Sequence, residues 1–208
     1  MTITLILDDP VVDPSAPVLV GGLPDIPAGA GFTWPRCATC FGALTYLGRI
    51  PHPVDPSLRL LVFKCENRPG QCHDWRAFTG DNRVMAVPAG PRMVQVTPPD
   101  PVAPVVDDQW SGHPRVVDAS SYPAARDQLI ATGMDPRQIL GCLGGEPAWV
   151  QTDETPLCPD CGEPMILAAQ LEEGPRWPTA LNFGGRGTGY VFYCAHHLDQ
   201  AAFLWQCA

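Results

Sequence analysis

Apolar residues come in short runs along this chain, and segments crowded with proline and glycine separate them. The first run, Met1–Asp8, predicts a strand. Residues 8–31, rich in Pro, Gly and Asp, predict an irregular approach carrying a Gly-Gly-x-Pro turn at Gly21–Pro24, where glycine supplies positive φ and proline fixes the exit. Ala43–Ile50 and Leu58–Cys65 predict a hairpin whose connection, Pro51–Ser57, contains three prolines and so no regular structure. Strand-like pieces follow at Arg83–Val87 and Arg92–Thr97, and residues 98–114 read as a Pro-rich, partly extended connector. Ser120 or Ser121 caps a predicted helix over Ala124–Thr132, which Gly133 ends; Pro136 opens a short second helix to about Leu140. Met165–Leu171 and Gly189–Cys194 predict a second hairpin.

These elements occur in two matching sets. Val20-Gly-Gly-Leu-Pro24 precedes Pro35-Arg-Cys-Ala-Thr-Cys40, and Leu143-Gly-Gly-Glu-Pro147 precedes Pro156-Leu-Cys-Pro-Asp-Cys161, in the same order and at nearly the same separation. Each Cys-x-x-Cys is followed by a hairpin whose returning strand ends in cysteine, at Cys65 and Cys194. The expected fold is therefore α+β and β-rich, an internal duplication of two pseudo-repeat lobes, each a small antiparallel sheet with a zinc knuckle. The first lobe covers 1–97, a connector with short helices 98–141, and the second lobe 142–208, the whole packing as one unit.

With 208 residues and 45% hydrophobic content, the chain has enough apolar material for a real core. Its 13 Lys+Arg against 22 Asp+Glu leave a formal charge of -9, which argues against nucleic acid as a direct ligand and favours a basic protein partner. The acid is concentrated beyond residue 81, as in Asp107, Asp108, Asp153, Glu154, Glu172 and Glu173; a surface tuned for solubility accounts for the same charge. The first residues lack the basic and long apolar regions of a signal peptide, and no run is long enough to span a bilayer, so a cytoplasmic, soluble protein with no membrane partner is expected. In a reducing compartment nine cysteines point to metal before disulfides.

Zinc takes four tetrahedral thiolate or imidazole ligands in structural sites. The first set is expected at Cys37, Cys40, Cys65 and Cys72; the second at Cys158, Cys161, Cys194 and His197, with His196 as the alternative fourth ligand. Two structural Zn2+ ions are the implied cofactors. A redox use of either Cys-x-x-Cys would need the motif to open a helix in a βαβ unit, and that context is missing. Cys142 and Cys207 are expected as core residues. The glycine-rich Phe183–Gly189 precedes a strand and lacks the Gly-Lys-Ser/Thr ending of a phosphate loop, so it reads as a turn. His52 and His113 sit beside prolines and are expected in exposed loops, and the six tryptophans mostly in the core. No catalytic triad or carboxylate pair stands out, and the expected protein is not an enzyme.

The Gly-Gly-x-Pro and Trp34-Pro-Arg-Cys-Ala-Thr-Cys40 segments, Leu143–Gln151 with Cys158-Pro-Asp-Cys-Gly-Glu-Pro-Met165, Tyr190–Cys194, and the closing Phe203–Cys207 together resemble the programmed-cell-death-protein-2 and YwqG-like superfamily. The resemblance covers nearly the whole chain apart from about residues 98–120. It implies a duplicated β-rich fold and a non-enzymatic role as a chaperone-like adaptor for a basic client, a ribosomal protein in the eukaryotic members. A toxin neutralised by an immunity-type inhibitor is the alternative client, and a zinc-dependent RNA-processing factor the alternative role.

Overall fold

The computed structural model describes residues 1–9, 11–100, 106, 109–174 and 181–208. Asp107, Asp108, Trp177 and residues 101–105 of the Pro-rich connector lie outside the described residues. In chain order the elements are β1 (Thr2–Asp9), β2 (Val18–Val20), β3 (Asp25–Pro27), β4 (Thr45–Pro51), β5 (Leu58–Lys64), β6 (Asn82–Pro88), β7 (Met93–Gln95) and β8 (Trp110–Asp118). After them come helix α1 (Tyr122–Ala131), β9 (Ile139–Leu143), β10 (Ile166–Glu172), β11 (Thr188–Tyr193) and β12 (Ala201–Gln206).

Ten strands make one antiparallel sheet in the order β12-β11-β10-β9-β1-β8-β2-β4-β5-β6, and β3 pairs separately with β7. The expectation of a small sheet in each lobe gives way to this single sheet. The cause is the pair of long strands at its centre. β1, which precedes the first set of elements, pairs with β9 of the second, while β8, which precedes the second set, pairs with β2 of the first; β1 and β8 pair with each other from Thr2↔Asp118 to Asp9↔Ser111. The sheet then curls until β6 and β12, its two ends, lie side by side and the ring is nearly closed.

Half of β8 falls in what the sequence suggested was connector, and Pro114 lies within it. The proline is tolerated because Ala119 N–H donates to Met1 C=O, which sets odd-numbered β8 residues to face β1; Pro114 faces the other side, beyond the reach of the short β2, where no N–H is needed. Pro136 opens only a 3-10 turn, and the predicted second helix gives way to β9, whose Ile139, Leu140 and Cys142 are buried. Helix α1 is capped by Ser121, whose hydroxyl accepts Ala124 N–H at 3.3 Å. It packs Tyr122, Ala125 and Leu129 on Ile3, Leu5 and Cys142.

The two sets of elements share local detail. Gly21 N–H donates to Leu47 C=O at 2.8 Å, and Gly144 N–H to Ala168 C=O at 2.9 Å. Leu47 and Ala168 are the residues at which β4 and β10 bulge against β5 and β11. Gly21, Gly22, Gly144 and Gly145 all have positive φ, so each Gly-Gly turn docks on the bulge of the following hairpin through a backbone that favours glycine. The main core fills the inside of the curled sheet, from Ile6, Val18 and Leu60 to Phe183, Val191 and Phe203, and a satellite cluster sits under each Cys-x-x-Cys.

Candidate metal centres

Each Cys-x-x-Cys is a tight turn closed by the same bonds. Cys37 N–H donates to Gly42 C=O and Phe41 N–H to Cys37 C=O, both at 2.9 Å; Cys158 N–H donates to Glu163 C=O and Gly162 N–H to Cys158 C=O, both at 2.8 Å. The turn needs a left-handed residue at its fifth position. Gly162 takes φ 74° without strain, whereas Phe41 takes φ 62° with its ring 74% exposed, so the first turn carries backbone strain that the second does not. Arg36 helps to hold it by donating Nη1 to Phe41 C=O at 3.0 Å.

The structure gathers Cys37, Cys40, Cys65 and Cys72 into one group and Cys158, Cys161, Cys194 and His197 into another, with the ligand atoms of each within 4.8 Å of one another. Cys65 and Cys194 each follow the returning strand of a hairpin, β5 and β11. Cys40 Sγ lies 3.6 Å from Cys65 Sγ; Cys161 Sγ lies 3.7 Å from Cys194 Sγ, and His197 Nδ1 lies 3.7 Å from Cys194 Sγ and 3.8 Å from Cys158 Sγ. A regular tetrahedron with metal–sulfur arms of about 2.3 Å has sulfur–sulfur edges of about 3.8 Å, and a sulfur–nitrogen edge is slightly shorter. Both groups therefore fit a tetrahedral metal ion such as zinc. His196 is exposed and contributes instead its backbone N–H, 3.4 Å from Cys194 Sγ.

Around the first group the organising residue is Asp81, which the sequence did not single out. It is fully buried, and its carboxylate accepts Thr39 N–H at 2.9 Å, Thr39 Oγ1–H at 2.7 Å, His73 N–H at 2.7 Å and the Cys37 thiol at 3.0 Å. Burial pushes this carboxyl up, but the hydrogen bonds from Cys37, Thr39 and His73 outweigh it and take it down to about 2. Its own C=O accepts Cys65 N–H, so one residue ties the Cys-x-x-Cys turn, the end of β5 and the loop bearing Cys72 together. Asn67 bridges similarly, from Ala43 C=O to Cys65 Sγ. In the second group Gln200 C=O takes the Cys194 N–H as Asp81 C=O takes that of Cys65.

The thiols differ in how readily they ionise. Burial, with the Asp81 acceptor beside it, pushes Cys37 up, and burial pushes Cys72 up to about 12. For Cys40 and Cys194 burial is outweighed by backbone N–H donors, from Gly42 and from His196 and His197 respectively, and by neighbouring thiols, so both are lowered. A set of mostly buried thiolates is stable only around a cation, which is the chemistry these donors offer.

Of the other residues singled out, Cys142 is buried and inert, its thiol pushed up to about 12 by burial, while Cys207 is half-buried at the end of the chain. His52 is not exposed. It is 3% exposed, accepts Asp55 N–H on Nδ1 at 3.2 Å and meets the Tyr193 ring edge-on, because the proline loop folds back over the second hairpin. His113 lies in β8, not in a loop, 3.4 Å from Asp9. The glycine-rich turn wraps an anion of the chain's own: Glu173 accepts N–H bonds from Phe183 at 2.9 Å, Gly185 at 2.8 Å and Arg186 at 2.9 Å, which leaves those donors unavailable to a phosphate.

A buried charged cluster spans the closure of the sheet. Lys64 Nζ lies 2.6 Å from Glu66 Oε1 and 3.0 Å from Asp74 Oδ2, and Trp205 on β12 donates Nε1–H to the same Asp74 oxygen at 3.0 Å. Among the described residues, no helix is long and apolar enough to cross a membrane. Compared with known proteins, the chain matches no family model and no curated protein.

Proposed function

We propose that this chain is a non-enzymatic, protein-binding scaffold stabilised by two structural zinc ions, with a basic protein as its client. The observation that carries the reading is that each candidate centre draws four ligands from the chain itself, Cys37, Cys40, Cys65 and Cys72 in one and Cys158, Cys161, Cys194 and His197 in the other. Four protein ligands complete the tetrahedron of a structural site and leave no position for the water that a catalytic zinc needs. Bound zinc would supply folding energy by joining a turn to the end of a distant strand, on the order of 10 kcal/mol per site by peptide analogy.

The shared bonding of the two Gly-Gly turns, bulges and Cys-x-x-Cys turns supports descent from a duplicated unit, with β1 and β8 exchanged between the copies. A formal charge of -9 supports a basic client, since opposite charge speeds encounter and disfavours other partners. Affinity purification of the tagged chain from its source organism, with mass spectrometry, tests this reading. A basic protein recovered at stoichiometric level is expected; co-purifying nucleic acid without a protein partner would overturn it.

A further inference from the structure

The two candidate centres share a ligand pattern but not a setting. In the first, Cys37, Cys65 and Cys72 are buried and Cys40 is half-buried; in the second, Cys158 and Cys194 are buried, His197 is half-buried and Cys161 stands exposed. The tip of the first turn is pinned under the loop that follows Cys72. Ala38 N–H donates to Gly80 C=O at 3.1 Å, the N–H and hydroxyl of Thr39 both go to Asp81, and a Cβ at Gly80 would meet Ala38 Cβ at 2.8 Å. The second turn cannot be held in that way. Pro159, in the place of Ala38, has no N–H to give, and every residue from Pro159 to Pro164 is exposed. A Cβ at Gly162 would meet no described atom within 4 Å apart from its chain neighbours.

A solvent-facing sulfur beside a second sulfur is a reactive pair. Cys161 Sγ lies 3.7 Å from Cys194 Sγ, which is buried and takes His196 N–H at 3.4 Å. A coordinating cysteine is held as the thiolate, so Cys161 as a ligand offers an ionised sulfur at the surface. Thiolate character and access together decide which cysteine an oxidant reaches.

We propose that Cys161 is an oxidant-modification site whose reaction empties the second centre while the first keeps its metal. The oxidant class is a hydroperoxide. The Cys161 thiolate attacks the terminal oxygen of the O–O bond, becomes the sulfenic acid and expels hydroxide or alkoxide. The Cys194 thiolate then attacks the Cys161 sulfur, forms the disulfide and expels hydroxide. Two thiolates have given up two electrons in total, and the peroxide has taken them. The sulfurs close from 3.7 Å to about 2.05 Å, a movement that the unpinned turn and Gly162 allow. Cys158 and His197 remain, half of the set that a structural zinc site needs. The disulfide still joins the turn to the end of β11, so the sheet outlasts the metal. The proposal rests on the zinc reading given above.

The test uses the full-length chain, its zinc counted by elemental analysis, and hydrogen peroxide with a chromophoric chelator present, measured against the chelator alone. One equivalent of zinc is expected to leave at least about tenfold faster than the other. Peptide mapping after that phase should show a Cys161–Cys194 disulfide with Cys37, Cys40, Cys65 and Cys72 still reduced, and dithiothreitol with added zinc should restore both ions. A short pulse of iodoacetamide on the untreated, zinc-loaded chain should label Cys161 ahead of the other ligands. Cys207→Ser, which removes the half-buried thiol near the end of the chain, should leave the fast phase as it is. Two equivalents leaving at one rate, a disulfide in the first centre, fast release with Cys161 still reduced, or loss of the fast phase in Cys207→Ser would overturn the proposal and leave the zinc reading standing. Fewer than two zinc ions at the start would overturn both.

Discussion

The charged cluster at the closure of the sheet can be tested by replacing Lys64 with methionine, which keeps the aliphatic stem and removes the ammonium. Lys64 is 2% exposed and, among the described residues, is the one cation bridging Glu66 and Asp74, whose side chains are 17% and 4% exposed; its Nζ also lies 5.4 Å from the centre of the Trp205 ring. In Lys64→Met the two carboxylates lose the counter-charge they share. Asp74 keeps the Trp205 indole, and Glu66 keeps some contact with water and a long bond of 3.4 Å from Asn182. Breaking a buried pair by removing one partner costs about 3–5 kcal/mol, and these remaining donors place the expected loss near the middle of that range. At about 2–4 °C per kcal/mol for a chain of this size, the midpoint of thermal unfolding should fall by roughly 8–16 °C. Unfolding followed by circular dichroism at fixed, saturating zinc and neutral pH measures this. Adding Asp74→Asn should recover part of the loss, since the uncompensated charge is then removed. A midpoint within about 2 °C of the parent would refute the reasoning and show that water or a shifted proton already compensates the carboxylates.

Elemental analysis of the purified chain should give two zinc ions, and Cys158→Ser or Cys161→Ser should give one and unfold the second half at lower temperature than the first; unchanged zinc content would remove these residues from the ligand set. Asp81→Ala leaves the N–H groups of Thr39 and His73 without their acceptor and should destabilise the fold by about 2–4 kcal/mol in chemical denaturation, with the loss appearing also as faster zinc release to a chelator. Glu173→Ala should speed amide exchange at Phe183, Gly185 and Arg186 by at least about tenfold, while exchange in β5 stays unchanged. At high pH, Tyr46, Tyr122 and Tyr190 are all held protonated in the fold, chiefly by burial, with Tyr190 at about 12. The unfolded chain then binds fewer protons than the folded one, so stability is complete below about pH 10 and falls as pH rises above it. Tyr122→Phe, which deletes the donor to Glu172, should reduce the slope of stability against pH between 10 and 12; an unaltered slope would show that Tyr122 ionises freely.

The amino-acid sequence by itself determined the features that depend on neighbours along the chain. The Cys-x-x-Cys turns, the Gly-Gly turns with positive φ, the cap of α1 and the strand character of β4, β5, β10 and β11 are all set by a few adjacent residues, and the grouping of four side chains at each turn, which could hold a metal ion, was legible because each turn is followed by a hairpin returning a cysteine. What remained hidden depended on partners far apart in sequence. A period of two marks a strand but does not name its neighbour, so nothing in Met1–Asp8 showed that it would pair with residues 110–118 and join the two halves into one sheet. Pro114 argued locally against a strand, and only the short length of β2 leaves its side of β8 free of any need for an N–H. Asp81, Lys64 and His52 look like ordinary polar residues in the chain. Their burial follows from the curl that brings β6 to β12 and lays the Pro51–Ser57 loop over Tyr193, and a buried polar group acquires its meaning only from the partners that tertiary packing brings to it.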